Sequence, residues 1–304
     1  MIGPLVVAAF IGRVVANCAH GTSAFPRLPN VTVSTFGYDA LRGPLNWYGL
    51  NETANVACEK GTHQSPIVVN STIATVQGSS LNWTVQDYPD GAVFENLGTN
   101  VEVVVNGSLV DMTSGLSYSL AQFHFHTPAE HRINDEFYPM EMHWVFESEG
   151  ISRSLLRLNE PAADPFRTAK HFAVVAFLVE LCESPGCTDS VLESVFSAVQ
   201  DIAVPGQAVT SPALAFGELI DKFERSPVYR YNGSLTTPPC TENVDWLIST
   251  ELAYIDLPTW LAVKKVIKYN ARYTQDFLGG VNLLQNAADE LCNSSSSSSA
   301  RIVD

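Results

Sequence analysis

The sequence predicts a single domain, mainly β with a few helices. Three observations lead there. Extended patterns rich in Val, Ile, Phe and Thr dominate the chain, and only two segments carry a clear helical repeat. No Pro/Gly/Ser linker and no internal repeat divides the 304 residues. Length alone would allow two domains, but β-rich single domains often reach about 200 to 250 residues. Hydrophobic residues at 46% against 16% charged supply ample material for one core.

From the N-terminus, Val6 to Ile11 form a short apolar run that ends near Arg13 and is followed by small residues. This reads as a secretory signal over residues 1–24, with cleavage after Cys18, Ala19 or Ala24. The run is too short to cross a bilayer. Extended segments follow at residues 82–87, 101–105, 122–126, 141–146 and 172–179. The last has the length and the Val and Phe content of a buried strand. Ser190-Val191-Leu192-Glu193 has the form of a capping box, and Val191, Leu192, Val195, Phe196 and Val199 recur at helical spacing. Asp256 before Leu257 and Pro258 starts a second helix, expected to run to about Lys268. Beyond residue 291 the tail is Ser-rich with no terminal apolar segment, so residues 292–304 are expected to be disordered and to carry no lipid anchor.

A formal net charge of −15 disfavours nucleic acid and anionic membrane surfaces as partners. Among six cysteines, Cys182 and Cys187 flank a Glu-Ser-Pro-Gly turn and could form a bridge. If Cys18 leaves with the signal, five remain, and an odd count leaves one thiol over. Cys292 is the candidate, which makes the chain a monomer or a disulfide-linked dimer.

Four of the seven histidines fall between positions 124 and 143. In Gln122-Phe123-His124-Phe125-His126 the period of a strand aims Gln122, His124 and His126 one way and both phenylalanines the other. In Met140-Glu141-Met142-His143-Trp144 the same alternation groups Glu141, His143 and Val145. A His-x-His pair by itself is more often just part of a half-buried strand. The third histidine and the adjoining carboxylates turn the reading toward a site. If Asn134-Asp135 closes a tight hairpin, His126 stands opposite His143 and His124 opposite Val145, though Pro128 and Pro139 interrupt the ladder and a bulge there could shift the register. Opposed Cβ atoms lie roughly 4.5 to 5.5 Å apart, so three rings could reach one ion. Three neutral imidazoles with a vacant fourth position describe a catalytic zinc site better than a structural one.

These motifs, together with Thr127-Pro128-Ala129-Glu130-His131 and Gly233-Ser234-Leu235-Thr236-Thr237-Pro238-Pro239, resemble the α-class carbonic anhydrases. The likeness runs from about Tyr38 to Gln275. It includes Gly43-Pro44 with Trp47, Gln64-Ser65-Pro66-Ile67, Trp246 and Asn270-Ala271-Arg272. The resemblance implies a large, mostly antiparallel twisted sheet, a catalytic domain over residues 25–291, and zinc on His124, His126 and His143. It implies that Gln122, the Asn270 carbonyl and Glu141 orient those rings. Thr236 would donate to an ionised Glu130, which can only accept, and would accept from the zinc hydroxide that attacks carbon dioxide. Thr237 would help to hold bicarbonate, and Val145, Val174, Leu235 and Trp246 would form the apolar wall that receives the substrate.

The resemblance also pairs Cys58 with Cys240, a bridge of extracellular members. With the export signal, seven Asn-x-Ser/Thr triplets point to N-glycosylation at Asn30, Asn51, Asn70, Asn82, Asn106 and Asn293. The seventh, Asn232, abuts the 234–239 loop, where a glycan would crowd the chemistry, and is expected to be empty. One departure stands out. Many fast members carry a proton-shuttling histidine where this chain has Leu97 or Gly98, so proton export is expected to fall to water and buffer. Rival readings are a zinc-loaded but non-catalytic binding module of the same fold, and a zinc esterase.

Overall fold

The strands that carry the histidines form the middle of a twelve-stranded mixed sheet. The computed structural model describes residues 17–151, 172–184 and 186–298. Across the sheet the central strands are Val101–Val104, Leu116–His126, Met140–Ile151, Phe172–Cys182 and Glu242–Ser249. Pairing is antiparallel except around Phe172–Cys182, which runs parallel to both Glu242–Ser249 and Ala253–Asp256. Parallel neighbours need a crossover rather than a tight turn. Helices Ser190–Ser197 and Gly217–Arg225 lie in the connection that supplies it.

Alternation along the strands builds two different faces. Phe123, Phe125, Met142, Trp144 and Phe146 enter the main core beside Trp83, Phe177 and Phe223. The Phe123 ring stacks on Trp144 with centroids 4.2 Å apart. Full burial of one such side chain contributes about 1.5–3 kcal/mol, so this face holds the strands in place and commits His124, His126 and His143 to the other. There a smaller apolar cluster contains Val145, Val174, Leu235 and Trp246.

The register differs from the expected hairpin. His124 stands opposite His143 and His126 opposite Glu141, a shift of two residues. The chain leaves the ladder after His126, because Pro128 has no N–H to donate and residues 127–139 make a detour. Within it Arg132–Ile133 pairs with Val68–Val69, and Asn134, at φ 54, makes a turn that closes only the Ile133 to Glu136 bridge. A shift of two keeps every side chain on its predicted face, whereas a shift of one would have reversed them all.

At the helices, Asp256 Oδ1 accepts from Thr259 N–H at 2.8 Å and caps Leu257–Ile267 as expected. The capping box at Ser190 does not form. Asp189 is the N-cap, its carboxylate is held by Lys222 at 2.8 Å, and Ser190 falls inside the helix. The Ser-rich tail also departs from expectation, since a helix over Leu283–Ser298 runs into it. Extending a helix already started at Leu283 is far less costly than nucleating one. Residues 1–16, which hold the apolar run of the expected signal, and 299–304 lie outside the described residues.

Two disulfides join Cys58 to Cys240 and Cys182 to Cys187. Cys292 is exposed on the last helix. Asn30, Asn82 and Asn106 are exposed, Asn51, Asn70 and Asn232 are partly so, and Asn293 lies on the last helix. Among the described residues no helix is long and apolar enough to cross a membrane.

Candidate metal centre

His124, His126 and His143 converge with ring centroids 5.0, 5.3 and 4.7 Å apart. Three imidazoles bound tetrahedrally at about 2.0–2.1 Å hold their ring centres roughly 5 Å apart. One nitrogen of each ring is tied to an acceptor. His124 Nδ1 donates to Gln122 Oε1 at 3.0 Å, His126 Nδ1 to the Asn270 carbonyl at 2.8 Å, and His143 Nε2 to Glu141 Oε1 at 2.8 Å. Those bonds settle the tautomers and leave lone pairs on Nε2, Nε2 and Nδ1. His124 Nε2 and His126 Nε2 then face each other at 3.1 Å, lone pair to lone pair. That contact is repulsive unless a cation lies between, so the donor set fits a metal ion. Burial pushes all three imidazoles below their ordinary pKa, His126 to about 3, which keeps them neutral.

Glu141 ties the site to the rest of the sheet. Besides His143 it accepts from His131 Nδ1 at 2.7 Å and from the backbone N–H groups of Glu130 and His131 at 2.8 Å each. Burial opposes its charge, yet the two histidines overcome that and hold the carboxyl well below its usual range. His131 Nε2 meets Tyr231 Oη at 2.6 Å, which in turn meets Ser65 Oγ at 2.7 Å. His131 and Tyr231 were not singled out as site residues from sequence. The crowding of four histidines into twenty positions was the available signal for His131, and Tyr231 had none.

Glu130 Oε1 accepts from Arg272 N–H at 2.9 Å. Burial drives its carboxyl well above the usual range, opposed by that amide and by the Thr236 hydroxyl. Oε2 has no hydrogen-bond partner. Val145, Val174, Leu235 and Trp246 are all buried in one cluster, and Trp246 is fixed by Nε1 donating to the Ser234 carbonyl at 2.9 Å. Leu97 is fully buried, and at Gly98 a Cβ would meet Val33 Cγ1 at 2.8 Å in a backbone with φ +84. Leu97 has no room for an exposed side chain, and Gly98, though exposed, has a left-handed backbone that strains any side chain.

One group at the centre was not foreseen. Cys18, expected to leave with the signal, is buried with its Sγ 3.3 Å from Thr236 Oγ1. Its Sγ, His124 and His126 offer ligand atoms that all lie within 4.8 Å of one another. His126, Glu130 and His143 form a second such group, His131, Glu141 and His143 a third, and His20, Glu95 and Glu102 a fourth.

A mixed sheet presenting three tied, neutral imidazoles beside an apolar cluster has the donor set to hold a cation. Residues 42–286 match the family model of the eukaryotic-type carbonic anhydrases. A carbonic anhydrase of Neisseria gonorrhoeae is 30% identical over 245 residues, 80% of this chain and 85% of that protein. The structure of a fungal alpha carbonic anhydrase from Aspergillus oryzae is 46% identical with a TM-score of 0.72, covering 84% of this chain and 99% of that one. An alpha carbonic anhydrase from Thermovibrio ammonificans, in complex with the inhibitor sulfanilamide, is 28% identical with a TM-score of 0.62 over 79% and 95%. The chain belongs to the eukaryotic-type, or α, carbonic anhydrase family.

Proposed function

We propose that the chain binds one Zn2+ through His124 Nε2, His126 Nε2 and His143 Nδ1 and reversibly hydrates carbon dioxide to bicarbonate and a proton. The observation that carries this reading is the pair of lone pairs facing each other at 3.1 Å with the far side of each ring already tied down. When bound, the zinc supplies hydroxide near neutral pH, carbonic anhydrase itself being the standard case, with bound water at a pKa of about 7.

The chain's own residues do the rest. Gln122, the Asn270 carbonyl and Glu141 hold the ligand rings in one tautomer. The Thr236 hydroxyl donates a hydrogen bond to Glu130 in its ionised form, so its oxygen is left to accept from the nucleophile and turn a lone pair toward substrate. Val145, Val174, Leu235 and Trp246 receive the apolar substrate, and Thr237 holds the product. Export through a signal peptide, with residues 25–291 as the catalytic unit and glycans on the exposed sequons, agrees with the two disulfides.

Zinc analysis should give one ion per chain, with carbon dioxide hydration lost on chelation and restored by zinc. Both are measured on the wild type and on Cys18→Ala, because that thiol touches the site. A zinc-loaded Cys18→Ala protein that does not hydrate carbon dioxide would point instead to a binding module, and one faster on an ester to an esterase.

No imidazole stands at position 97 or 98, so turnover at fixed pH should rise with imidazole buffer concentration. Leu97→His should not replace the buffer. A histidine in that buried position has no ready hydrogen-bond partner and costs about 1–3 kcal/mol of stability instead, read from urea unfolding.

A further inference from the structure

We infer that the segment around Cys18 is a thiol latch: once zinc is bound, Cys18 Sγ takes the coordination position that hydration needs open, so a chain retaining residues 17–24 is a closed precursor. The inference rests on the zinc reading above.

Cys18 engages the reacting side of the site with every atom it can offer. Its Sγ lies in one compact group with ring nitrogens of His124 and His126 and 3.3 Å from Thr236 Oγ1, the hydroxyl proposed to orient the nucleophile. Its N–H donates to Thr237 Oγ1 at 3.2 Å, and its carbonyl accepts from Gln122 Nε2 at 3.4 Å. Cys18 and Ala19 belong to the same apolar cluster as Val145, Val174, Leu235 and Trp246.

The segment is anchored on the C-terminal side of the thiol. Glu102, opposite His124 in the ladder, binds His20 Nδ1 at 2.7 Å and Arg27 Nη2 at 2.9 Å. Thr22 Oγ1 donates to the Ala19 carbonyl at 2.7 Å, and Ser23 N–H donates to Glu147 Oε2 at 2.8 Å. A buried histidine and an arginine of the segment thus share one buried carboxylate oxygen, Glu102 Oε1.

The chemistry favours closure. Thiolate is a softer and more basic zinc ligand than water, and a fourth protein ligand at about 2.3 Å converts an open catalytic site into a closed structural one. In the exchange the zinc–sulfur bond forms as the zinc–oxygen bond breaks, and the thiol proton joins the departing hydroxide as water. Opening then requires loss of the thiol. Cleavage after Cys18, Ala19 or Ala24 removes it each time, and Ser23 and Ala24 are exposed.

The test uses the full chain loaded with zinc or with cobalt(II). Cobalt-loaded wild type should show a sulfur-to-metal charge-transfer band in the near ultraviolet that is absent from Cys18→Ala and weakened in His20→Ala. A latch closed about 99% of the time leaves about 1% of sites open, so zinc-loaded Cys18→Ala should hydrate carbon dioxide roughly a hundredfold faster than wild type. Cys18→Ser, which keeps the side-chain shape, should also lose the band. Equal activity in wild type and Cys18→Ala with no band in either would overturn the latch and leave the proposed function standing. A band in wild type with no hydration by any variant would support the thiol as ligand and overturn the hydration reading. Failure of every variant to take up metal would overturn both.

Discussion

His126→Ala, made in a Cys18→Ala background, is expected to lose zinc on dialysis and to hydrate carbon dioxide at least about a thousandfold more slowly than that background. The reason is that nucleophile formation depends on bringing the pKa of water down to about 7, which two imidazoles and a loosely held ion do not sustain. The readouts are metal content and stopped-flow hydration. A third readout separates metal binding from folding. Binding that is specific to the folded state stabilises it by about 4.1 kcal/mol at a thousand times the dissociation constant, so zinc should raise the melting temperature of the background protein. That increment should vanish in His126→Ala. Without zinc the variant should lose little stability by comparison, because removing the ring also removes the 3.1 Å encounter of two lone pairs. Retention of the zinc-dependent increment would show that the ion sits elsewhere.

How far the chain could be read beforehand depended on the range of the interaction. Which face each histidine takes is a local property of a strand with period two, and it was legible from Phe123, Phe125, Met142 and Trp144 alone. The register was not, because residues 127–139 leave the ladder to pair Arg132–Ile133 with a distant strand, and no local pattern announces that. The parallel neighbours of Phe172–Cys182 were invisible for the same reason, since a strand buried on both faces reads alike in either direction. At Ser190 the local cap signal was overridden by Lys222, thirty-three residues from Asp189. The roles of Thr236, Glu130 and the Cys58 to Cys240 bridge came through family resemblance rather than spacing. Cys18 was misplaced because an apolar leader followed by small residues looks like something to be discarded. Its contacts with Thr236 and Thr237 span more than two hundred positions.

Glu141→Ala should be the most damaging single change outside the ligands themselves. The carboxylate satisfies four donors at once, the Nε2–H of His143, the Nδ1–H of His131 and the N–H groups of Glu130 and His131. All of these are buried, so none of them regains a partner from solvent when the acceptor goes. Breaking a buried charged network from one side costs about 3–5 kcal/mol, which urea unfolding of the metal-free protein would show directly. Freed from its acceptor, the His143 ring can turn and change tautomer, and loss of such an orienting partner lowers metal affinity about 10–100-fold in a chelator competition. Glu141→Gln divides the two effects. Its amide oxygen can still accept, but its NH2 would be aimed at groups that themselves donate, so much of the stability loss should remain while cavity formation is avoided. The pH dependence gives a further check. Because the folded-state carboxyl is held below its ordinary value, its contribution is present above the unfolded pKa of about 4.3 and is lost as pH falls through the lower folded value. The stability gap between wild type and Glu141→Gln should therefore be constant near neutrality and narrow in acid. A gap that widened in acid would mean that Glu141 is protonated in the folded chain and donates rather than accepts.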